Sequence, residues 1–188
     1  MQRRVRRREK RKVKRKYLTN KSTLYIILGA LIFTLLFIKF KSFLIFIIIA
    51  LIAGAINYFV HATDIHLHLG HVSFFALVFS YTLGFKFGLL MILLAHIIPE
   101  LFAGHADKEM IISAVIYAIM CFLAAALNNV PIVTLGMVLV SIQAFLAMFL
   151  ERLSGTPMYE LITENGVEFV LLIFYFISFS KPLVTILT

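Results

Sequence analysis

The chain has a single cysteine, Cys121, among its 188 residues. One cysteine excludes an intramolecular disulfide and a zinc site built from several cysteine thiolates. Charged residues are also scarce, at 14% of the chain, and no stretch has the composition of a soluble domain. Hydrophobic residues make up 62%, and the mean hydropathy is +1.00. These values are typical of an integral membrane protein.

Positive charge is concentrated at the N-terminus, because twelve of the eighteen lysines and arginines lie in residues 1–21. The rest of the chain is slightly acidic. By the positive-inside rule, residues 1–22 are predicted to form a basic cytoplasmic arm. Residues 3–21 are expected to contact anionic lipid head groups. Tyr17 is the only aromatic residue of this arm, which disfavours nucleic-acid binding because base stacking needs aromatic side chains.

Apolar blocks separated by short polar connections occupy residues 23–188, which we predict to be the transmembrane domain. A closed helical bundle is expected, since only helices or closed barrels satisfy their backbone in lipid. The prediction is an all-α polytopic bundle of six core helices, or seven if the first block also crosses the membrane. The blocks are Thr23–Ile38, Ser42–Val60, Val72–Leu83, Leu89–Ile98, Met110–Leu127, Ile132–Leu150 and Val167–Leu187.

Four of the six histidines and an aspartate lie in the connection 61–71: His61, Asp64, His66, His68 and His71. Ionisable side chains are costly in a membrane, so this cluster is a candidate binding site. Three interpretations stay open. Asp64, His66, His68 and His71 could ligate zinc, nickel or cobalt; the histidines could bind a polar organic ligand; or they could only solvate an interfacial loop.

Two further candidate pairs follow along the chain. His96 and Glu100 are four residues apart, so a helix would place them on one face, and Pro99 is expected to end or kink that helix. A hydrogen bond between helices is the plain alternative to a binding role. His105 and Asp107 lie in the next polar connection, where they either bind a ligand or are simply solvated. We include all four among the predicted ligand-binding residues.

The spacing of the blocks also predicts a topology. Two crossings separate each pair of the connections 61–71, 99–109 and 151–166, so all three are expected on one side of the membrane. The turns at 84–88 and 128–131 are then left for the other side. If the first block spans, the histidine-rich side is internal; if it does not, that side is external.

Residues 67–100 resemble the substrate-binding subunits of energy-coupling-factor (ECF) vitamin transporters. In that family a loop ending in glycine precedes an apolar helix, and a Gly-x-x-x-Gly turn opens the next helix, which ends in a polar residue. Gly70, Gly84 and Gly88 match this pattern, and His96 with Glu100 takes the polar end. A final apolar helix after Asn165, carrying Lys181-Pro182, also looks similar.

The resemblance covers about residues 42–187 and implies six helices, with a vitamin bound at the external face. It also implies docking on a membrane coupling subunit through small residues, which Ala50 and Gly54 match in spacing. The chain is similar in the same way to MreD, the membrane protein of the rod-shape system. That likeness implies a structural role instead of transport.

Three functions are therefore open. The first is an ECF-type membrane protein that binds a small vitamin- or metal-like solute. The second is an MreD-like scaffold that assembles other membrane proteins through Ala50, Gly54 and the small-residue stripe of Ala114 and Ala118. The third is a metal-dependent membrane hydrolase with Glu100 as general base. Binding is favoured over catalysis, because no His-Glu-x-x-His or other metalloprotease spacing is present.

Overall fold

The computed structural model describes Tyr25, Gly29 and residues 40–63, 69–105 and 107–188, with Glu160 described by its backbone only. Contacts divide the chain into two units, Met1–Lys41 and Ser42–Thr188. The described residues of the first unit are helical. The predicted basic arm and almost all of the first apolar block lie outside the described residues.

Six helices account for nearly all of residues 40–188. They are α1 (Phe40–Ala62), α2 (His71–Leu83), α3 (Phe85–Ala103), α4 (Lys108–Ala126), α5 (Ile132–Leu153) and α6 (Met158–Leu187). No strand occurs in the part of the chain that the structure describes. The structure thus confirms the predicted all-α bundle with six core helices.

Five of these helices are long and apolar enough to cross a membrane, and α2 is the shorter exception. Their large apolar side chains point outward in many places: Phe102 is 80% exposed, Leu51 69% and Val170 65%. In water such a surface would drive association, whereas in a bilayer it contacts lipid tails. The chain is therefore a multi-pass membrane protein.

Helix α2 forms the centre of the bundle. It is mostly apolar and mostly buried, and it packs against α3, α4, α5 and α6. Its 13 residues cover only about 20 Å. The Phe79 ring meets Phe46 of α1 edge to face, with centroids 5.0 Å apart, and Phe74 meets Phe176 of α6 at 5.1 Å. These ring contacts fix the outer helices around α2.

Helix α3 continues through Pro99 to Ala103, so the prediction that it ends near this proline is wrong. Residues Leu93–Ile97 form a π-helical segment, and the Ile98 amide donates to the carbonyl of Leu93, five residues back. Proline lacks an amide hydrogen and clashes with the carbonyl four residues earlier in a regular helix. The wider π-turn accommodates both features, and π-turns of this kind occur frequently at functional sites.

The predicted turn 84–88 is also shorter than expected. Only Gly84 connects α2 and α3, with φ of 99°, and α3 begins at Phe85. Gly88 lies inside α3, where an added Cβ would be 1.9 Å from Ser80 Oγ and 3.0 Å from the carbonyl of Ala76. The Gly-x-x-x-Gly pair therefore combines one turn residue with one that lets two helices pack closely.

The predicted polar connection 151–166 is mostly helical. Helix α5 ends at Leu153 and α6 begins at Met158, so Glu164 and Asn165 lie in the first turns of a helix. Helix α6 also continues through Pro182, although proline usually ends or kinks a helix. Its final turns are anchored by Ser42 Oγ, which donates to the Leu187 carbonyl at 2.6 Å.

The alternating helices give the bundle two different ends. We call the end where α1, α3 and α5 finish the polar end, and the opposite one the apolar end. At the polar end, Lys108 Nζ donates to the Ser154 carbonyl at 2.6 Å and joins two connections. At the apolar end, the Tyr81 hydroxyl donates to the Val130 carbonyl at 3.0 Å. The described parts of the connections 61–71 and 99–109, and the α5–α6 connection, all meet at the polar end.

Candidate functional site at the polar end

A cavity of about 80 Å³ opens at the polar end of the bundle. Six of the nine predicted ligand-binding residues line it: His61, His71, His96, Glu100, His105 and Asp107. The other three, Asp64, His66 and His68, lie outside the described residues. Helices α1, α2, α3 and α4 thus bring together side chains that are up to 46 positions apart in the chain, from His61 to Asp107.

The Glu100 carboxylate is the hydrogen-bond acceptor that three other side chains of the site contact. It is 4% exposed, and its Oε1 atom accepts from Asn57 Nδ2 at 3.1 Å. The same oxygen lies 3.1 Å from His61 Nε2 and 2.6 Å from His96 Nδ1. Three donors on one oxygen compensate much of the cost of burying a carboxylate. None of these contacts involves the second oxygen, Oε2, and Glu100 lines the cavity.

His96 has a hydrogen-bond acceptor at both ring nitrogens. Nδ1 faces Glu100, and Nε2 lies 2.8 Å from the Ser113 hydroxyl oxygen. The same hydroxyl lies within hydrogen-bond distance of the backbone carbonyls of Glu109 and Met110, at 2.9 and 3.0 Å. Glu100 and Ser113 thus fix the orientation of the His96 ring beside the cavity.

A second group of polar side chains extends from the cavity into the bundle. Tyr117 lines the cavity, and its hydroxyl donates to Glu168 Oε1 at 3.2 Å. Gln143 Nε2 donates to the same oxygen at 3.1 Å, and Ser73 Oγ donates to Gln143 Oε1 at 2.6 Å. Helices α2, α4, α5 and α6 are joined by these contacts. Buried polar groups of this kind in a membrane bundle generally mark a functional interior.

Glu151, another lining residue, is fixed in a different way. It is 8% exposed, and its Oε2 atom accepts from Asn165 Nδ2 at 2.8 Å. Because α6 begins before Asn165, this amide reaches back from a helix to the end of α5. The pair joins the end of α5 to the start of α6 beside the cavity.

His105 and Asp107 lie at the rim. The His105 ring is 5.5 Å from the His61 ring, and the His105 amide donates to the Glu100 carbonyl at 3.0 Å. Asp107 is the N-cap of α4, with its carboxylate accepting from the Met110 amide at 2.9 Å. Capping stabilises the helix start and is a structural explanation for this aspartate.

His71, the first residue of α2, is one of four predicted metal ligands and the only one in the described residues. Its Nε2 atom contacts the Ala53 carbonyl at 3.1 Å, whereas its buried Nδ1 has no partner among the described residues. Within that part of the chain, no three His, Cys, Asp or Glu side chains form a group that could hold a metal ion. The site predicted at Asp64, His66, His68 and His71 for zinc, nickel or cobalt stays a prediction.

The predicted docking residues fall into two classes. Ala50 is 2% exposed, and a Cβ on Gly54 would be 3.0 Å from the Leu94 carbonyl, so both residues pack inside the bundle. This packing accounts for their small size, and their role in docking stays a prediction. Ala114 and Ala118 of α4 are half-buried at the edge of the core, and their role in docking stays a prediction.

Several polar residues of the site are not among those predicted from the sequence, because they lie within the apolar blocks. A signal for them exists: Ser113 and Tyr117 share one helix face, and Gln143 and Glu168 interrupt long apolar blocks. Asn57, near the end of its apolar block, is likewise buried against Glu100.

Comparisons with known proteins add no assignment, since no protein-family model, curated protein or solved structure matches the chain. The resemblance to the ECF substrate-binding subunits and to MreD therefore depends on the residues quoted for it alone.

Proposed function

We propose that this chain is an integral membrane substrate-binding protein of the ECF type, which captures a small solute at the polar end. The observation that carries the proposal is Glu100 in its cavity. A carboxylate buried in a membrane bundle is costly, and Glu100 both lines a cavity and keeps its Oε2 atom outside the contacts that hold Oε1. That oxygen is the atom proposed to contact the ligand. Binding, and not bond cleavage, is the chemistry that this arrangement serves.

Capture is proposed to work by closure of the polar end around the solute. The α3–α4 and α5–α6 connections are joined there by Lys108, and Thr156 Oγ1 donates to Glu109 Oε1 at 3.3 Å. A solute that contacts residues of several helices at once binds the closed arrangement better than an open one. It therefore shifts the population towards closure by that difference in affinity.

The proposal includes a location. The protein lies in the cell membrane with its basic arm, residues 1–22, in the cytoplasm, where residues 3–21 contact anionic lipids. A membrane coupling subunit is its proposed partner. With Ala50 and Gly54 packed inside the bundle, such a partner would contact the half-buried Ala114 and Ala118 face of α4.

The test is retention and stabilisation by solutes. Purified protein in detergent is extracted and analysed for a co-purified small molecule, and its thermal stability is measured against vitamins, divalent metals and small polar solutes. A bound solute stabilises the folded state by mass action, so at least one class should raise Tm. No retained molecule together with no shift in Tm would contradict the proposal.

A matched pair of variants separates the cavity from general effects of charge removal. Glu100→Gln changes a carboxylate that lines the cavity, whereas Glu164→Gln makes the same chemical change on α6, at a residue that does not line the cavity. The proposal expects the shift in Tm to be lost in the first variant and kept in the second.

A further inference from the structure

We infer that the solute bound at the polar end is a small protonated amine, with Glu100 Oε2 as its principal acceptor. This inference rests on the proposed function and specifies its ligand. It depends on four features of the cavity: which nitrogens are already engaged, the charge of the lining, its rings and its size.

Half of the ring nitrogens of the four lining histidines contact protein groups. His61 Nε2 and His96 Nδ1 both face Glu100, His96 Nε2 lies beside Ser113, and His71 Nε2 faces the Ala53 carbonyl. A transition metal needs free nitrogen lone pairs, so these four nitrogens do not ligate one in this arrangement. An ammonium group instead needs hydrogen-bond acceptors, such as carboxylate oxygens, that are not already used by the protein.

The acceptors are carboxylates. Glu100, Asp107, Glu109 and Glu151 line the cavity, and no lysine or arginine does so among the described residues. Three of these carboxylates already accept a hydrogen bond outside the Glu100 cluster: Asp107 from Met110, Glu109 from Thr156 and Glu151 from Asn165. Glu100 is the deepest of the four by exposure, so its Oε2 atom is the point at which a cationic donor gains most.

The rest of the lining includes aromatic rings beside apolar residues such as Val60 and Met110. Tyr117 and His96 both line the cavity, with ring centroids 5.3 Å apart. A desolvated cation is attracted by the face of a tyrosine ring, in addition to its hydrogen bonds. Carboxylate and ring together are the usual surroundings of an ammonium group in proteins.

The volume limits the size of the amine. At about 80 Å³, and with about 10–15 Å³ needed per water, the cavity has room for roughly five to eight water-sized groups. Methylammonium, ethylammonium and protonated ethanolamine fit this space. A vitamin-sized molecule would need a cavity several times larger, of about 300 Å³ or more.

The experiment measures binding to the full chain in detergent by calorimetry. The probes are methylammonium and protonated ethanolamine, with methanol as the neutral counterpart of the first and zinc and nickel salts as metals. Both amines should bind and methanol should not. Glu100→Gln should weaken amine binding about thirtyfold or more, as expected for removing one partner of a buried charge pair, and Glu164→Gln should leave it unchanged.

Carbodiimide labelling provides a test in the unmodified protein if Glu100→Gln does not fold. Dicyclohexylcarbodiimide reacts with carboxyl groups in apolar surroundings, and mass spectrometry locates the modified residue. Methylammonium should slow modification of Glu100 and leave that of Glu164 unchanged. An unchanged rate at Glu100 would overturn the inference.

The outcomes separate the two proposals. Binding of zinc, nickel or a vitamin without binding of amines overturns the amine inference and leaves the proposed function standing. Amine binding that survives Glu100→Gln unchanged also overturns the inference, because Oε2 would not be the acceptor. Absence of binding by every probe contradicts both proposals.

Discussion

The two ends of the bundle are held together by different chemistry. At the apolar end, helices close through single-glycine and short turns, ring contacts and hydroxyl groups that donate to backbone carbonyls, as Ser42 and Tyr81 do. At the polar end, side chains contact side chains around the buried carboxylate of Glu100. Uncharged contacts from hydroxyl groups to backbone carbonyls are enough to hold helix ends together. The buried charged residues at the polar end are therefore not needed for folding.

This difference separates stability from function. Apolar packing around α2 stabilises the bundle, whereas buried ionisable groups usually lower or leave unchanged the free energy of unfolding relative to apolar residues of equal size. We therefore expect substitutions at the apolar end to act mainly on folding, and those at the polar end mainly on binding.

The largest loss of stability is expected for Gly88→Leu, which tests the claim that substitutions near the apolar end act on folding. A side chain there would overlap Ser80 Oγ and approach the Ala76 carbonyl, which is backbone and cannot move aside. Overpacking of this severity should lower the free energy of unfolding by about 3 kcal/mol or more, measured by chemical unfolding in detergent.

The control is Gly166→Leu in α6, where nothing lies within 4 Å of an added Cβ. It should be neutral or slightly stabilising, because leucine favours a helix more than glycine does. Equal stability of Gly88→Leu and the unmodified protein would show that α2 and α3 do not pack as closely as described.

An intermediate effect is expected for Asn57→Leu at the polar end. The change removes one of three donors to Glu100 and should cost about 1–3 kcal/mol of unfolding free energy, while weakening solute binding. The same substitution at the apolar end, Asn128→Leu in an exposed turn, should change stability by about 0.5 kcal/mol or less. If Asn57→Leu has no effect on either property, Glu100 does not depend on this amide.

The smallest loss of stability is expected for substitutions of Asp107. They separate the role of this residue in capping α4 from a role in binding the solute. Asp107→Ala should destabilise the protein by about 1 kcal/mol, since α4 loses its N-cap, and Asp107→Asn should restore most of that loss. Solute binding should weaken much less in Asp107→Asn than in Glu100→Gln, because Asp107 contributes one lining charge whereas Glu100 is the proposed acceptor. A loss of binding in that variant, at normal stability, would instead identify the carboxylate as a ligand contact.

Much of this arrangement could be predicted from the sequence. Apolar blocks give the helices, and counting crossings groups the polar connections at one end. The four-residue spacing of His96 and Glu100 predicts a shared face, and the two side chains do lie 2.6 Å apart. These predictions succeed because helix periodicity and membrane thickness leave few alternatives.

The remaining features depend on tertiary contacts that no local pattern contains. Helix α3 passes Pro99 because a π-turn precedes it, and α6 passes Pro182 within the bundle. The polar residues Glu164 and Asn165 extend a helix because Asn165 finds Glu151 across the connection. Likewise, the four-residue spacing of Ala50 and Gly54 is typical both of packing inside a bundle and of docking to a partner helix. The sequence does not distinguish the two roles.

The central claim is that the connections 61–71, 99–109 and 151–166 lie on one side of a membrane, and that the turns at 84–88 and 128–131 lie on the other. Accessibility of single cysteines tests it directly, in a Cys121→Ser background, with an impermeant maleimide applied to intact and to permeabilised cells. Thr63→Cys at the polar end and Asn128→Cys at the apolar end are both exposed positions. The account predicts that only one of the two is labelled in intact cells, and both after permeabilisation. Labelling of both in intact cells would contradict it.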